Sequence, residues 1–208
     1  MEPTPATNLR ADDGRLVRGR KSRARIHAAA RELFLERGFD ATTLRAIAER
    51  AGMGASSIYR HIRSKEELLV AQLGDLQEEA WERFRRSEDK VAPARERIHS
   101  FLDAEHALLA RDPDLTTIAL RATTQPEARV ARRVLLLQDR TIGLLAEILM
   151  SAKARGELRK SADVMSAART IAHLTSGARI SWANGLLGAE ACQGAVTASV
   201  NLLFDGLH

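Results

Sequence analysis

The sequence contains one cysteine, few aromatic residues and no long apolar run, and each of these shortages excludes a class of protein. Cys192 has no second cysteine with which to form a disulfide within the chain, which argues against a secreted, disulfide-stabilised fold. No stretch approaches the roughly 20 apolar residues that a membrane helix needs, and no secretory signal pattern is present at the amino terminus. We therefore expect a soluble, cytoplasmic protein without a membrane partner.

Motifs for catalysis and metal binding are lacking too. The sequence has no glycine-rich phosphate loop, no Gly-x-Ser-x-Gly motif and no cysteine matched to a specific base by spacing. The spacing of four histidines matches no metal-ligand pattern, either with one another or with a carboxylate; they are His27, His99, His106 and His173. We expect no enzyme, no cofactor and no metal site, and we expect Cys192 to be a small buried packing residue.

Positive charge is concentrated in the first third of the chain. Residues 1–65 contain 14 Lys and Arg against 7 Asp and Glu, a net charge of +7, whereas the remainder contains 18 against 20, a net charge of −2. A basic end joined to a nearly neutral body is typical of a protein whose one end binds a polyanion. The alternative is a basic tail that only aids solubility.

Apolar spacing predicts where the first helix begins. Residues 1–21 are polar and basic and show no apolar period, so we expect a flexible basic arm. From Ser22 onward one helical stripe is formed by Ile26, Ala29, Ala30, Leu33 and Phe34. Gly38 is placed to end this helix, because glycine tolerates the left-handed backbone of a helix terminus.

Two short helical patterns and a capped long one follow. Thr43 is placed to cap a second helix of about two turns, and residues 51–54 form a glycine-containing turn. Helical spacing restarts after Gly54, and Ser64 with Glu67 gives the capping box of a fourth helix that extends to about Arg86. This succession predicts a helix-turn-helix DNA-binding domain over residues 22–69.

In the rest of the chain, residues 70–208, the only structural signals are residues typical of helix starts and helix ends. Prolines at helix starts and glycines at helix ends predict helices near 92–111, 113–122, 125–155, 162–184 and 189–205. No segment of alternating β-branched residues competes with them. The predicted fold class is all-α, with a three-helix DNA-binding domain followed by a helical effector-binding and dimerisation domain.

The segment from Gly54 to Ile62 meets the requirements of a helix that enters the major groove of DNA. Ile58 and Ile62 are one turn apart and are expected to face inward. The outward positions are then occupied by Ser56, Ser57, Tyr59, Arg60 and His61. Arg60 is the best candidate for base recognition, because a guanidinium matches the two acceptors of a guanine edge.

Residues 22–69 closely resemble the DNA-binding domain of the tetracycline-repressor (TetR) family. The resemblance rests on Gly-Phe-Asp-Ala-Thr-Thr from Gly38, on Ile-Ala-Glu-Arg-Ala-Gly from Ile47, and on Tyr-Arg-His-Ile-Arg-Ser-Lys-Glu-Glu-Leu-Leu from Tyr59. It implies that Thr43 and Lys65 hold phosphates and that Tyr59 and His61 contact the DNA backbone. It also implies that four side chains lie at or near the DNA bases, namely those of Arg45, Ser56, Ser57 and Arg60.

The chain departs from the family pattern at three positions of this segment. Gly54 stands where the family usually has Ser, Ser56 where it often has Gly, and Ile62 where it usually has Phe. Gly54 can still begin a helix, and Ile62 keeps an apolar anchor. Ser56 adds a side chain near the groove, so the operator sequence of other members does not transfer.

The body domain supplies candidates for two further sites. Polar residues within apolar stretches are candidate contacts of a small-molecule effector, namely His106, Thr117, Arg121, Gln138 and His173. The apolar faces of the last two helices are candidates for a homodimer interface, with packing inside the monomer as the alternative; they comprise Ile171, Leu174, Ala178, Trp182, Cys192, Val196, Ser199 and Leu203.

These observations predict a sequence-specific transcriptional regulator, a repressor that leaves a palindromic double-stranded operator when an unidentified small molecule binds. Two subunits would reach successive major grooves, and the fourth helix would change their separation. The alternatives are a DNA-binding protein that needs no ligand, and a helical small-molecule carrier or enzyme without sequence-specific DNA affinity.

Overall fold

The computed structural model describes the backbone of residues 11–207 and the side chains of residues 19, 21–128 and 130–206. Within this range the protein is all-α, as predicted, with nine helices and no strand. The helices are α1 (Ala11–Ala41), α2 (Leu44–Arg50), α3 (Ala55–Ile58), α4 (Lys65–Ser87), α5 (Ala94–Leu109), α6 (Pro113–Arg121), α7 (Ala128–Ala154), α8 (Val164–Ala183) and α9 (Ala189–Leu207).

The first helix begins earlier than the apolar pattern indicates. α1 starts at Ala11, so residues 11–21, for which the sequence predicts a flexible arm, have helical backbone. Residues 1–10 of the predicted arm lie outside the described part of the chain. An apolar stripe reports packing and not helicity, because a polar helix can form without burying a face. At Gly38 the backbone leaves the helical region, with φ at 77°, so the predicted terminus is confirmed at that residue.

The chain divides into two units, Met1–Leu68 and Leu69–His208. In the first unit the predicted stripe of α1 is buried along its whole length, from Ile26 to Phe34. It is joined in the core by Ile47 of α2 and by Ile58 and Ile62. These apolar side chains hold α2 and α3, which have 7 and 4 residues and are too short to be stable alone.

The second unit has its own apolar core. Side chains from α4, α5, α7, α8 and α9 meet in it, among them Phe84, Phe101, Leu145, Leu149 and Phe204. Trp81 and Phe101 pack edge to face with ring centroids 5.6 Å apart. In the described residues, no helix is both long and apolar enough to cross a membrane.

Candidate DNA interface and cavity

The candidate DNA-binding segment is anchored as the spacing predicts. Ile58 and Ile62 are buried, with relative exposures of 0% and 1%, whereas Tyr59 is 57% exposed. The regular helix α3 ends at Ile58 and is shorter than the predicted helix, which extended to Ile62. The turn that follows is tightened by hydrogen bonds of i to i+3 type, from Arg60 N to Ser57 O at 3.2 Å and from His61 N to Ile58 O at 2.8 Å.

The polar side chains of this segment remain accessible. Ser56 and Arg60 are exposed, and Ser57 and His61 are half-buried. Arg60 Nη2 donates a hydrogen bond to Ser57 Oγ at 3.0 Å. This bond uses one of five guanidinium donors and leaves the others for an acceptor outside the protein.

Thr43 and Arg45 lie at the start of α2. Thr43 is the cap of that helix, as predicted, because its Oγ1 accepts a hydrogen bond from Ala46 N at 3.1 Å. The hydroxyl hydrogen is then available to another acceptor, such as a phosphate oxygen. Arg45 is exposed and forms an ion pair of 3.2 Å with Glu49 one turn later.

Lys65 has partners that its sequence position does not suggest. Its Nζ donates to the carbonyl oxygen of Phe39 at 2.7 Å and to that of Asp40 at 3.3 Å, and it lies 4.4 Å from the centroid of the Phe39 ring. Carbonyl oxygens do not neutralise an ammonium charge. Lys65 therefore fixes the turn after Gly38 and keeps its positive charge.

Arg50 joins α1 to α2 and was not singled out from the sequence. Its guanidinium binds Glu36 through two hydrogen bonds of 2.9 and 2.8 Å and Glu32 through one of 3.0 Å. The hydrogen bond from Arg50 lowers the pKa of Glu36, and the two carboxylates raise the pKa of Arg50. The four-residue spacing of Glu32 and Glu36 is the signal that could have suggested a shared cation.

The second unit contains a partly open cavity with an empty volume of about 880 Å³, its mouth included. Side chains of α4 to α8 line it. Its apolar lining consists of Leu73, Leu76, Leu109, Leu120, Val134, Leu137, Ile142, Ala172 and Ile180. Its polar lining consists of Gln77, Glu105, Thr123, Gln138, Thr141, His173, Ser176 and Arg179.

Two of the five predicted effector contacts, Gln138 and His173, line this cavity. The other three do not, and two of them, Thr117 and Arg121, satisfy their polar groups elsewhere. Thr117 Oγ1 donates to the Asp114 carbonyl of its own helix, and Arg121 Nε donates at 2.6 Å to the Ala183 carbonyl at the end of α8. The carboxyl-terminal end of a helix attracts cations, and Thr hydroxyls often bond to their own helix.

His106, the third of these, is buried against Trp182 with ring centroids 5.5 Å apart. Its Nδ1 has no hydrogen-bond partner among the described residues. Burial, with the positive charge of Arg179 as the next cause, lowers the pKa of His106. The ring is therefore neutral at physiological pH.

The polar groups of the cavity wall were missed because their partners are distant in sequence. Gln77 Nε2 donates to Thr141 Oγ1 at 2.6 Å and to the Leu137 carbonyl at 3.3 Å. Arg179 Nη2 donates to Glu105 Oε2 at 2.8 Å, and the two side chains are 12% and 6% exposed. No local sequence pattern predicts either pair. The one signal is that Glu105 and Arg179 each place a charge on an apolar helix face, which is unusual.

The predicted dimer residues need a correction. Ile171, Trp182, Cys192 and Val196 are buried inside the monomer and present no surface to a partner in this structure. The apolar faces of α8 and α9 pack on the core of their own unit, which was the stated alternative. Of the remaining four, one is exposed and three are half-buried: Leu174, at 44%, and Ala178, Ser199 and Leu203.

Comparison with known proteins gives consistent matches. The model of the family described as "Bacterial regulatory proteins, tetR family" matches residues 26–71. The HTH-type transcriptional repressor KstR of Rhodococcus jostii (strain RHA1) is 31% identical over 180 residues, which cover 85% of this chain and 80% of that protein. The HTH-type transcriptional regulator UidR of Escherichia coli (strain K12) is 25% identical over 168 residues, which cover 79% of this chain and 83% of that protein.

A solved structure is similar over nearly the whole chain. It is the crystal structure of Thermus thermophilus FadR, described as a TetR family transcriptional repressor in complex with lauroyl-CoA. The TM-score is 0.70 at 26% sequence identity, and the match covers 89% of this chain and 95% of that chain.

Proposed function

This chain belongs to the TetR family of bacterial regulatory proteins, and from that membership we propose that it is a repressor released from its operator by a molecule that carries an acyl chain. The membership itself establishes a DNA-binding transcriptional regulator that responds to a small molecule and is not an enzyme. The identity of the effector, the operator symmetry, the dimer and the site residues are proposals. We propose that the protein acts in the cytoplasm, where a bacterial DNA-binding regulator meets its target.

The cavity of the second unit is the observation that carries the effector proposal. Nine aliphatic side chains line the cavity, whose empty volume is about 880 Å³ with the open space at its mouth included. Aromatic side chains, which would favour a flat stacked ligand, are absent from its described lining. The FadR protein of Thermus thermophilus, 26% identical, was crystallised with lauroyl-CoA, a ligand with a flexible aliphatic chain.

DNA binding is assigned to the residues placed around α3. Arg60 and Ser57, with Ser56 and Arg45, are proposed to lie at the bases. The phosphates are proposed to be held by Thr43, Tyr59, His61 and Lys65. The free hydroxyl hydrogen of Thr43 and the unneutralised ammonium of Lys65 support this assignment.

The release step is proposed to use α4. This helix contributes Leu73, Leu76 and Gln77 to the cavity wall, and it begins at Lys65, a proposed phosphate contact. A ligand that moves the cavity part of α4 therefore acts on the helix that begins with this proposed DNA contact. The ligand shifts the equilibrium only by binding the DNA-free form more tightly.

The dimer is proposed to use the outer faces of α8 and α9. Leu174 of α8 is 44% exposed and Leu202 of α9 is 74% exposed. Gly177 and Gly194 are exposed as well, and a side chain added at either would meet nothing within 4 Å in the monomer. Small exposed residues between apolar ones let helices of two subunits approach closely, and a two-fold dimer fits a palindromic operator.

The test is selection of duplexes from random DNA by the purified full chain, followed by competition with lauroyl-CoA on the recovered site. We expect a palindromic consensus, displacement by lauroyl-CoA, and no displacement by coenzyme A alone. A palindrome from which neither lauroyl-CoA nor laurate releases the protein would contradict the acyl effector and favour a regulator with another or no ligand. Equal, weak binding to all duplexes at physiological salt would contradict sequence-specific binding.

A further inference from the structure

The cavity wall contains an ion pair that a purely aliphatic ligand would leave unused. Arg179 of α8 and Glu105 of α5 both line the cavity, and their side chains are 12% and 6% exposed. Removing two charges from water is costly, and a single contact of 2.8 Å compensates it only in part. The nine aliphatic side chains that line the same cavity cannot form hydrogen bonds with either group.

Arg179 has hydrogen-bond donors that its ion pair does not use. A guanidinium has five N–H groups, and among the described residues Arg179 donates a hydrogen bond to Glu105 alone. No nitrogen atom of the Arg179 side chain is both inaccessible and without a partner, so its unused donors face accessible space. An oxygen acceptor inside the cavity would find them.

A second polar group in the cavity wall is incompletely satisfied. Thr141 Oγ1 donates to the Leu137 carbonyl at 3.2 Å and therefore accepts the hydrogen bond from Gln77 Nε2. This fixes the orientation of the Gln77 amide, whose Oε1 is buried without a partner among the described residues. Buried polar groups are usually paired, so this amide oxygen is an unsatisfied polar atom within the cavity wall.

We propose that Arg179 binds the acyl oxygen of the effector, and that Glu105 occupies this position on Arg179 while the cavity is empty. The inference rests on the acyl effector proposed above. The acyl oxygen is that of a free carboxylate or of a thioester carbonyl, and both are good acceptors for a guanidinium. Glu105 then acts as an internal competitor, whose displacement loosens the contact between α5 and α8.

Matched ligands test the role of the oxygen. S-dodecyl-CoA is a thioether that has the chain and the coenzyme of lauroyl-CoA but lacks the carbonyl oxygen. Calorimetry with the full-length protein should give about tenfold tighter binding of lauroyl-CoA, the value of one hydrogen bond to a charged group. In a second comparison, laurate should bind about tenfold tighter than 1-dodecanol if the natural effector is the free acid.

Two variants separate recognition from a merely structural ion pair. Glu105→Gln removes the competitor, so lauroyl-CoA and laurate should bind more tightly while S-dodecyl-CoA is unaffected. The double variant Glu105→Gln with Arg179→Met, which leaves no unpaired buried charge, should bind lauroyl-CoA and S-dodecyl-CoA equally. Asp103→Asn is the control, because it removes a charge from α5 that is bonded to Gln193 and does not line the cavity.

The outcomes distinguish this inference from the proposed function. Equal affinity of the wild-type protein for lauroyl-CoA and S-dodecyl-CoA, or weaker lauroyl-CoA binding by Glu105→Gln, would overturn the role of Arg179 and leave the acyl effector standing. A preference for laurate over 1-dodecanol without binding of either coenzyme A derivative would support Arg179 and identify the free acid as the effector. Failure of all four ligands to bind would overturn both proposals.

Discussion

Lys65 Nζ donates a hydrogen bond of 2.7 Å to the carbonyl oxygen of Phe39 and lies 4.4 Å from the centroid of the ring of the same residue. A residue 26 positions earlier thus holds the first side chain of α4 by two different interactions. The ammonium charge is retained, so one lysine both stabilises the turn after Gly38 and remains available to a phosphate.

Lys65→Ala should therefore lower both stability and DNA affinity. We expect the free energy of unfolding to fall by about 1.5 to 3 kcal/mol, the usual value of a hydrogen bond to a charged group. DNA affinity should fall for all sequences alike, and the slope of its salt dependence should decrease by about one unit. Urea denaturation and salt-dependent anisotropy measure the two effects.

Arg63→Ala is the matched control for Lys65→Ala. Arg63 is an exposed neighbour, and its removal changes the charge equally without touching the turn. Its free energy of unfolding should stay within about 0.5 kcal/mol of the wild type, as for most surface substitutions. Equal stability of the two variants would contradict the structural role of Lys65.

Arg60→Ala should relax the preference of the protein for its operator over altered sites. A guanidinium paired with one base edge discriminates by about 1 to 3 kcal/mol, and this preference should disappear at one position of each half-site. Competition between the selected operator and its single-base variants measures it. If Arg63→Ala relaxes the same position to the same degree, Arg60 is not the residue that contacts the base.

Two adjacent residues of α7 provide a test of the cavity. Val134 lines it, whereas Leu135 is 58% exposed and does not. Val134→Phe should fill part of the empty volume, so the variant keeps its operator affinity but is no longer displaced by lauroyl-CoA. Leu135→Phe should respond as the wild type does; loss of the response in both variants would place the effector elsewhere.

Glycines on two helices test the proposed dimer face. Gly177 on α8 and Gly143 on α7 are exposed, and a Cβ at either position has no atom within 4 Å. Gly177→Arg should yield a monomer with strongly reduced operator affinity, because the new side chain occupies the interface. Gly143→Arg should remain dimeric. Sedimentation velocity distinguishes these outcomes, and a dimeric Gly177→Arg protein would exclude this face.

The histidine buried against Trp182 should make stability depend on pH. Burial and the charge of Arg179 lower the pKa of His106 in the folded protein. Below the unfolded value near 6.5 the unfolded chain takes up the proton first, so this contribution to stability is complete at higher pH and is lost as pH falls. Unfolding curves at pH 7.5 and 5.5 should show a smaller change in the free energy of unfolding for His106→Phe, which keeps an aromatic ring at this position but cannot titrate. An unchanged pH effect would assign the dependence to other groups.

The DNA-binding unit could be predicted in detail because its determinants are local. Ile58 and Ile62 are one turn apart, and this spacing alone placed Tyr59 and Arg60 on the outside. The predicted cap at Thr43 was likewise confirmed, because capping depends on a residue and its neighbour three positions on. The length of α3 was overestimated, since i to i+3 bonds leave no signature in the order of residue types.

Sequence by itself determined the helical class, the placement of the DNA-binding segment and the turn at Gly38, which follow from spacings of a few residues. The family followed from the resemblance of residues 22–69 to known members. Tertiary structure decided which faces of α8 and α9 are buried, that Lys65 binds the carbonyl of Phe39, and that Gln138 and His173 share a cavity with Arg179 and Glu105. Periodicity shows that a helix has an apolar face, whereas the partner of that face depends on how distant helices pack. Contacts such as that of Glu105 with Arg179, 74 residues apart, exist only after the chain has folded.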